Sequence, residues 1–180
     1  MYKSFIAGWI FVLFSGVALA NPFTDSAEDE IKINDFGWSD HNYLEKQIAS
    51  IDEIARKQLG TQVRKNLDDL ALLQRIVDNN LISRNDTLAL QAMGAVLGNV
   101  MSTDIPALRW KIYEDALGRS RALCVQDTRE CLFPMTMLSR RMEKGLKPDV
   151  DKVYEDAIEL VSAFLPHYPY GGGVMRKLHR

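Results

Sequence analysis

Two adjacent carboxylates, Glu114 and Asp115, are the best acid–base candidates in the chain. They end the run Leu108 to Tyr113, in which Leu108, Trp110 and Ile112 alternate with Arg109, Lys111 and Tyr113, the pattern of a half-buried strand. Continued alternation puts Glu114 on the face of Trp110 and Ile112. A carboxylate at the edge of an apolar face resists ionisation, and the raised pKa suits a general acid. The plainer reading is a lapsed strand end, with Glu114 paired to Arg119 or Arg121. Structural ion pairs perturb carboxylates too. The first reading makes an exported hydrolase, the second only structure.

Arg119, Arg121, Arg140 and Arg141 are anion-binding candidates, because a guanidinium fork matches carboxylate or phosphate oxygens. Residues 101–150 hold nine basic and seven acidic side chains, so the local field is small and a salt-bridged face is the competing account. Cys124 and Cys131 flank a turn and are a disulfide candidate. A turn centred on Asp127-Thr128 places them opposite each other. A type I turn begun by Asp127 gives the loop Asp127 to Glu130 and pairs Gln126 with Cys131 instead. The cysteines then lie diagonally, about 7–8 Å apart, at the limit for a bridge. Both registers stay open. His41, His167 and His179 have no metal-ligand spacing. Gly171-Gly172-Gly173 follows no strand, so it is not read as a phosphate loop. No cofactor is expected, and no Ser-His-acid set follows from the spacing.

The elements that must position these residues are legible around them. Residues 1–20 read as a signal peptide. Lys3 supplies the charge, Phe5 to Phe14 the apolar core, and Ala18-Leu19-Ala20 the small residues for cleavage after Ala20. Export is expected to be periplasmic or secretory, a setting that permits disulfides. The formal charge of −2 becomes −3 when Lys3 leaves. That balance gives no pull toward nucleic acid, which needs a concentrated basic face. Residues 21–37 read as an acidic, solvated leader. Residues 38–165 form a single domain, and 166–180 a flexible basic tail that could touch acidic lipid or protein.

Within the domain, Ser39 or Asp40 caps a helix to about Leu59 with the stripe Leu44, Ile48, Ile51 and Ala55. A second helix is expected over Gln62 to Asn79. A third, capped by Asn85 or Asp86, is apolar nearly all round from Leu88 to Met101, where only Gln91 and Asn99 are strongly polar. Such a helix is buried nearly all round. Gly94 and Gly98 cost helix stability, a cost tolerable where another backbone approaches closely. A three-stranded antiparallel meander follows: Leu108 to Tyr113, Arg121 to Gln126, and Cys131 to Phe133. A short helix over Met135 to Lys144 comes next. The last helix is capped by Asp149 and carries Val150, Val153, Ala157, Val161 and Phe164. The fold class is α+β, with a helical N-terminal half, a central buried helix, the meander and two C-terminal helices.

Three stretches carry a family resemblance. They are Leu90-Gln91-Ala92-Met93-Gly94-Ala95-Val96-Leu97-Gly98, Trp110 to Gly118, and Leu132-Phe133-Pro134-Met135-Thr136-Met137-Leu138-Ser139-Arg140-Arg141. Over Leu88 to Leu165 the chain resembles the bacterial domain-of-unknown-function family 3806. Glu114-Asp115-Ala116-Leu117-Gly118 departs from the acidic-Tyr-Gly run of family members. The resemblance implies the order helix, meander, helix and no activity. The expected function is therefore a non-catalytic envelope protein that binds another protein or a small ligand. The alternatives are the hydrolase using Glu114 or Asp115, and membrane association through the tail.

Overall fold

The structure, a computed structural model, describes residues 31–167. The expected signal peptide, the expected leader before Ile31 and the expected tail beyond His167, with His179, lie outside the described residues. The element order is β1 (Lys32–Asp35), α1 (Trp38–Ile54), α2 (Asp68–Asp78), α3 (Thr87–Asp104), β2 (Leu108–Asp115), β3 (Gly118–Val125), β4 (Cys131–Leu132), α4 (Pro134–Met137), α5 (Ser139–Met142) and α6 (Val150–Val161). The class is α+β, and the strands form an antiparallel sheet in the order β1-β2-β3-β4. The sheet has four strands rather than the expected three. The extra strand, β1, comes from the end of the segment read as a solvated leader. It is too short and too polar for period-2 patterning to reveal, and it is held by pairing Lys32 with Glu114 and Asp35 with Lys111.

The central helix forms as its composition requires. Asp86 caps α3 by accepting from Ala89 N–H at 3.0 Å. From Leu90 to Met101 every residue is buried except the half-exposed Gln91 and Asn99. The two glycines mark the close approaches. A methyl added at Gly94 would lie 2.4 Å from the Pro134 carbonyl oxygen and 2.5 Å from Met135 Cα, so α4 rests directly on the helix backbone. At Gly98 it would lie 2.5 Å from the Trp110 ring, so the sheet packs there through that indole. The Leu44, Ile48, Ile51 and Ala55 stripe of α1 and the Leu70, Leu73 and Val77 stripe of α2 close the other sides of the core.

The hairpin is longer than expected, with β2 reaching Asp115 rather than Tyr113 and β3 starting at Gly118 rather than Arg121, and three helix boundaries also differ. α2 starts at Asp68, not Gln62. The preceding loop is satisfied without helical bonds: buried Asp69 accepts from Arg64 N–H at 2.8 Å and Lys65 N–H at 2.7 Å, and Asp52 accepts from Val63 N–H at 2.8 Å. Such side-chain acceptors compete with the helix for backbone donors. The single helix expected over Met135 to Lys144 is two separate turns, α4 and α5, parted at the fully buried Leu138. Phe164, placed on the apolar stripe of the last helix, lies past the end of α6 in a 3-10 turn and is 47% exposed.

The β3–β4 register settles the cysteine geometry. Val125 N–H donates to Glu130 O at 2.9 Å, so the loop is Gln126 to Arg129 and Cys124 stands opposite Cys131. Asp127 takes a φ of +63°, a left-handed conformation that aspartate tolerates. This is the turn centred on Asp127-Thr128, not the type I turn begun by Asp127. Cys124 and Cys131 are joined in a disulfide with Cα atoms 4.0 Å apart.

Candidate functional site

The helix-facing side of the β2–β3 hairpin changes character along its length. Leu108 pairs with Val125 and Trp110 with Leu123. Further out, Ile112 pairs with Arg121 and Glu114 with Arg119. The outer pairs extend toward the N-terminus of α1, which supplies Asp40. This carboxylate is only 4% exposed and receives Arg119 Nη2 at 2.8 Å on Oδ2 and Arg121 Nη2 at 3.1 Å on Oδ1. It also accepts from the Gly37 N–H, so it sits in the third position of α1 and reaches back to the cap residue. Burial alone would raise the Asp40 pKa. The Arg119 hydrogen bond, the charges of Arg119 and Arg121 and the Gly37 N–H outweigh it and hold the carboxyl below the usual aspartate value. Arg121 also lies over the Tyr43 ring, 3.8 Å from its centroid, a cation–π contact from α1.

β4 spans two residues, so the Gly118 to Ala122 half of β3 has no outer strand beside it among the described residues. α4 runs alongside instead, and a cavity of about 300 Å³ lies between them. Arg119, Ser120 and Arg121 form its β3 wall, Met135, Thr136 and Arg140 the opposite wall, and Tyr43 and Gln91 the sides. Three of the four arginines singled out in the sequence therefore share one cavity. The Arg119 and Arg121 charges are matched by Asp40 and by Glu114, whose Oε1 lies 3.6 Å from Arg119 Nε. Arg140 has no acidic partner among the described residues. Arg141 is not brought in: its Nη1 donates to the Met137 carbonyl, and it lines a neighbouring groove.

The two carboxylates chosen for acid–base chemistry do not converge on this cavity. Glu114 is tied to Arg119 and accepts from Asn34 Nδ2 at 3.5 Å. Asp115 accepts from Leu117 N–H at 2.9 Å, which fastens the hairpin turn. His41 packs edge-on against Phe36. Among the described residues no group of three His, Cys, Asp or Glu side chains could hold a metal ion.

Sequence reasoning missed Asp40, Tyr43 and Gln91 as members of this site. Gln91 did carry a signal. It is one of two strongly polar residues on a helix otherwise apolar, and the cavity is what it faces. Asp40 was read as a cap, and its position near the helix start hid its tie to β3.

Residues 69–154 match the model of a family described as a domain of unknown function, DUF3806. This stretch is a DUF3806 domain. It runs from the first turn of α2 into α6, so the family region takes in α2, earlier than the resemblance from Leu88 suggested. Gln91, Arg119, Arg121 and Arg140 lie within the DUF3806 region, whereas Asp40 and Tyr43 come from the α1 segment before it. No curated protein matches the chain. A crystal structure from Bacteroides thetaiotaomicron VPI-5482 is similar in fold, with a TM-score of 0.67 at 16% identity over 75% of this chain. The match covers 50% of that protein, so the chain spans about half its length. Among the described residues no helix is long and apolar enough to cross a membrane.

Proposed function

We propose that this chain is an exported, non-catalytic binding domain of the cell envelope that holds a small anionic ligand between β3 and α4. One observation carries the reading: Arg140 faces a cavity already lined by Arg119 and Arg121, and nothing acidic among the described residues neutralises it. A guanidinium with free donors in a concave site favours a carboxylate or phosphate oxygen. Ser120, Thr136, Tyr43 and Gln91 add neutral hydrogen-bonding groups that fix orientation, as small-molecule sites require. Export is supported by the Lys3 to Ala20 segment and is compatible with the Cys124–Cys131 bridge.

Calorimetric titration of the mature protein with acetate, succinate and inorganic phosphate tests the site. Binding of at least one anion is expected, weakened about tenfold or more in Arg140→Ala. Anion binding that Arg140→Ala leaves unchanged would remove the proposal, as would silence toward all three anions. Export is checked by N-terminal sequencing of protein from the envelope, expected to begin at Asn21; a retained Met1 contradicts it.

A further inference from the structure

A second hollow adjoins the first and differs from it in kind. It has a volume of about 450 Å³, and its walls are mainly Leu132, Phe133, Met137, Leu146 and Leu160. Leu146 and Leu160 are 59% and 74% exposed, a large apolar presentation for side chains with no function in the core. Arg140, Arg141 and Lys144 also line this groove, and no Asp or Glu lines either hollow. The two share Phe133, Thr136 and Arg140, so the arginine-rich cavity and the greasy groove border each other at those residues.

We infer that the ligand is a single-chain fatty carboxylate, with its head on Arg140 in the polar cavity and its chain along Leu132, Met137, Leu146 and Leu160. This deepens the proposed anion site and rests on it. The unmatched guanidinium selects an anionic head group. Asp40 and Glu114 offset Arg119 and Arg121, which leaves Arg140 as the arginine of the polar cavity without an acidic partner among the described residues. A carboxylate presents two oxygens to a guanidinium fork in the bidentate geometry that fork favours. The apolar groove selects the tail, since the exposed Leu146 and Leu160 gain by removal from water and the chain gains equally. A neutral alcohol of the same length would leave Arg140 unanswered. A short acid would leave the groove wet.

The test compares acetate, laurate and dodecanol on the mature protein by calorimetry, with anionic phospholipid vesicles as a fourth arm. Laurate is expected to bind about tenfold or more tighter than either acetate or dodecanol. The exposed-surface double variant Leu146→Ser with Leu160→Ser is expected to erase that advantage and leave acetate binding unchanged, because neither side chain supports the core. Laurate no better than acetate overturns the fatty-chain inference while the anion site stands. Failure of acetate and laurate alike overturns both. Binding to vesicles without binding to monomeric laurate overturns the inference in favour of a membrane surface.

Discussion

The two ends of the β2–β3 hairpin meet the helices in opposite ways. At one end Trp110 lies on Gly98, so contact with the helix is dry and close, and on the sheet's other face Cys124–Cys131 clamps β3 to β4. At the other end Arg119 and Arg121 meet Asp40 and leave an open cavity beside them. At Gly98 an added methyl would meet the Trp110 ring, because the close-packed contact there has no spare volume. The charged end is held by directed bonds and keeps space that a ligand can fill. One sheet face thus divides into a part that builds the domain and a part that is free to bind.

The sharpest way to break the dry end is through its glycine-matched helix. Gly94→Ala would drive a methyl into the Pro134 carbonyl and the Met135 backbone, neither of which can swing aside. A stability loss of about 3 kcal/mol or more is expected. Chemical denaturation measures it, and a loss below about 1 kcal/mol, the lower end for overpacking, would show that α4 does not rest on α3. Replacing Cys124 and Cys131 together by Ala opens a short loop, since they are seven residues apart. The expected cost is about 2.5 kcal/mol by chain entropy. Unchanged melting in that double variant would mean that β4 is held by its other contacts alone.

The charged end is probed by Asp40→Asn, with an expected cost of about 2 kcal/mol because two guanidinium donors lose an ionised acceptor. The pH dependence has a fixed sign. The folded Asp40 pKa lies below its unfolded value, so its contribution is complete above the unfolded value and fades as pH falls through the folded one. Acid melting of the native protein should therefore lose stability below about pH 4, the ordinary aspartate range. Asp40→Asn should flatten part of that slope. Identical acid profiles in the two proteins would show that Asp40 carries no linked proton.

What could be read ahead of the structure follows a physical division. The Asp86 and Asp149 caps act on backbone donors within three residues. The α1 and α6 stripes and the buried α3 reflect helical periodicity, and the Gly94 and Gly98 notch is a local spacing with a predictable use. β1 escaped because a four-residue edge strand draws its definition from its partner, Lys32 to Glu114, and not from its own pattern. Of the site, the arginines were visible as residue types. Which of them belong together was not, and Arg141 beside Arg140 turned elsewhere.

The fold class and the hub helix follow from local pattern, because periodicity, capping and glycine placement act between near neighbours. Tertiary structure alone decided the cysteine register, the pairing of Asp40 with Arg119 across 79 positions, and the meeting of Arg140 with β3. Those depend on how elements pack, and a long-range contact leaves no periodic trace in the chain on either side of it.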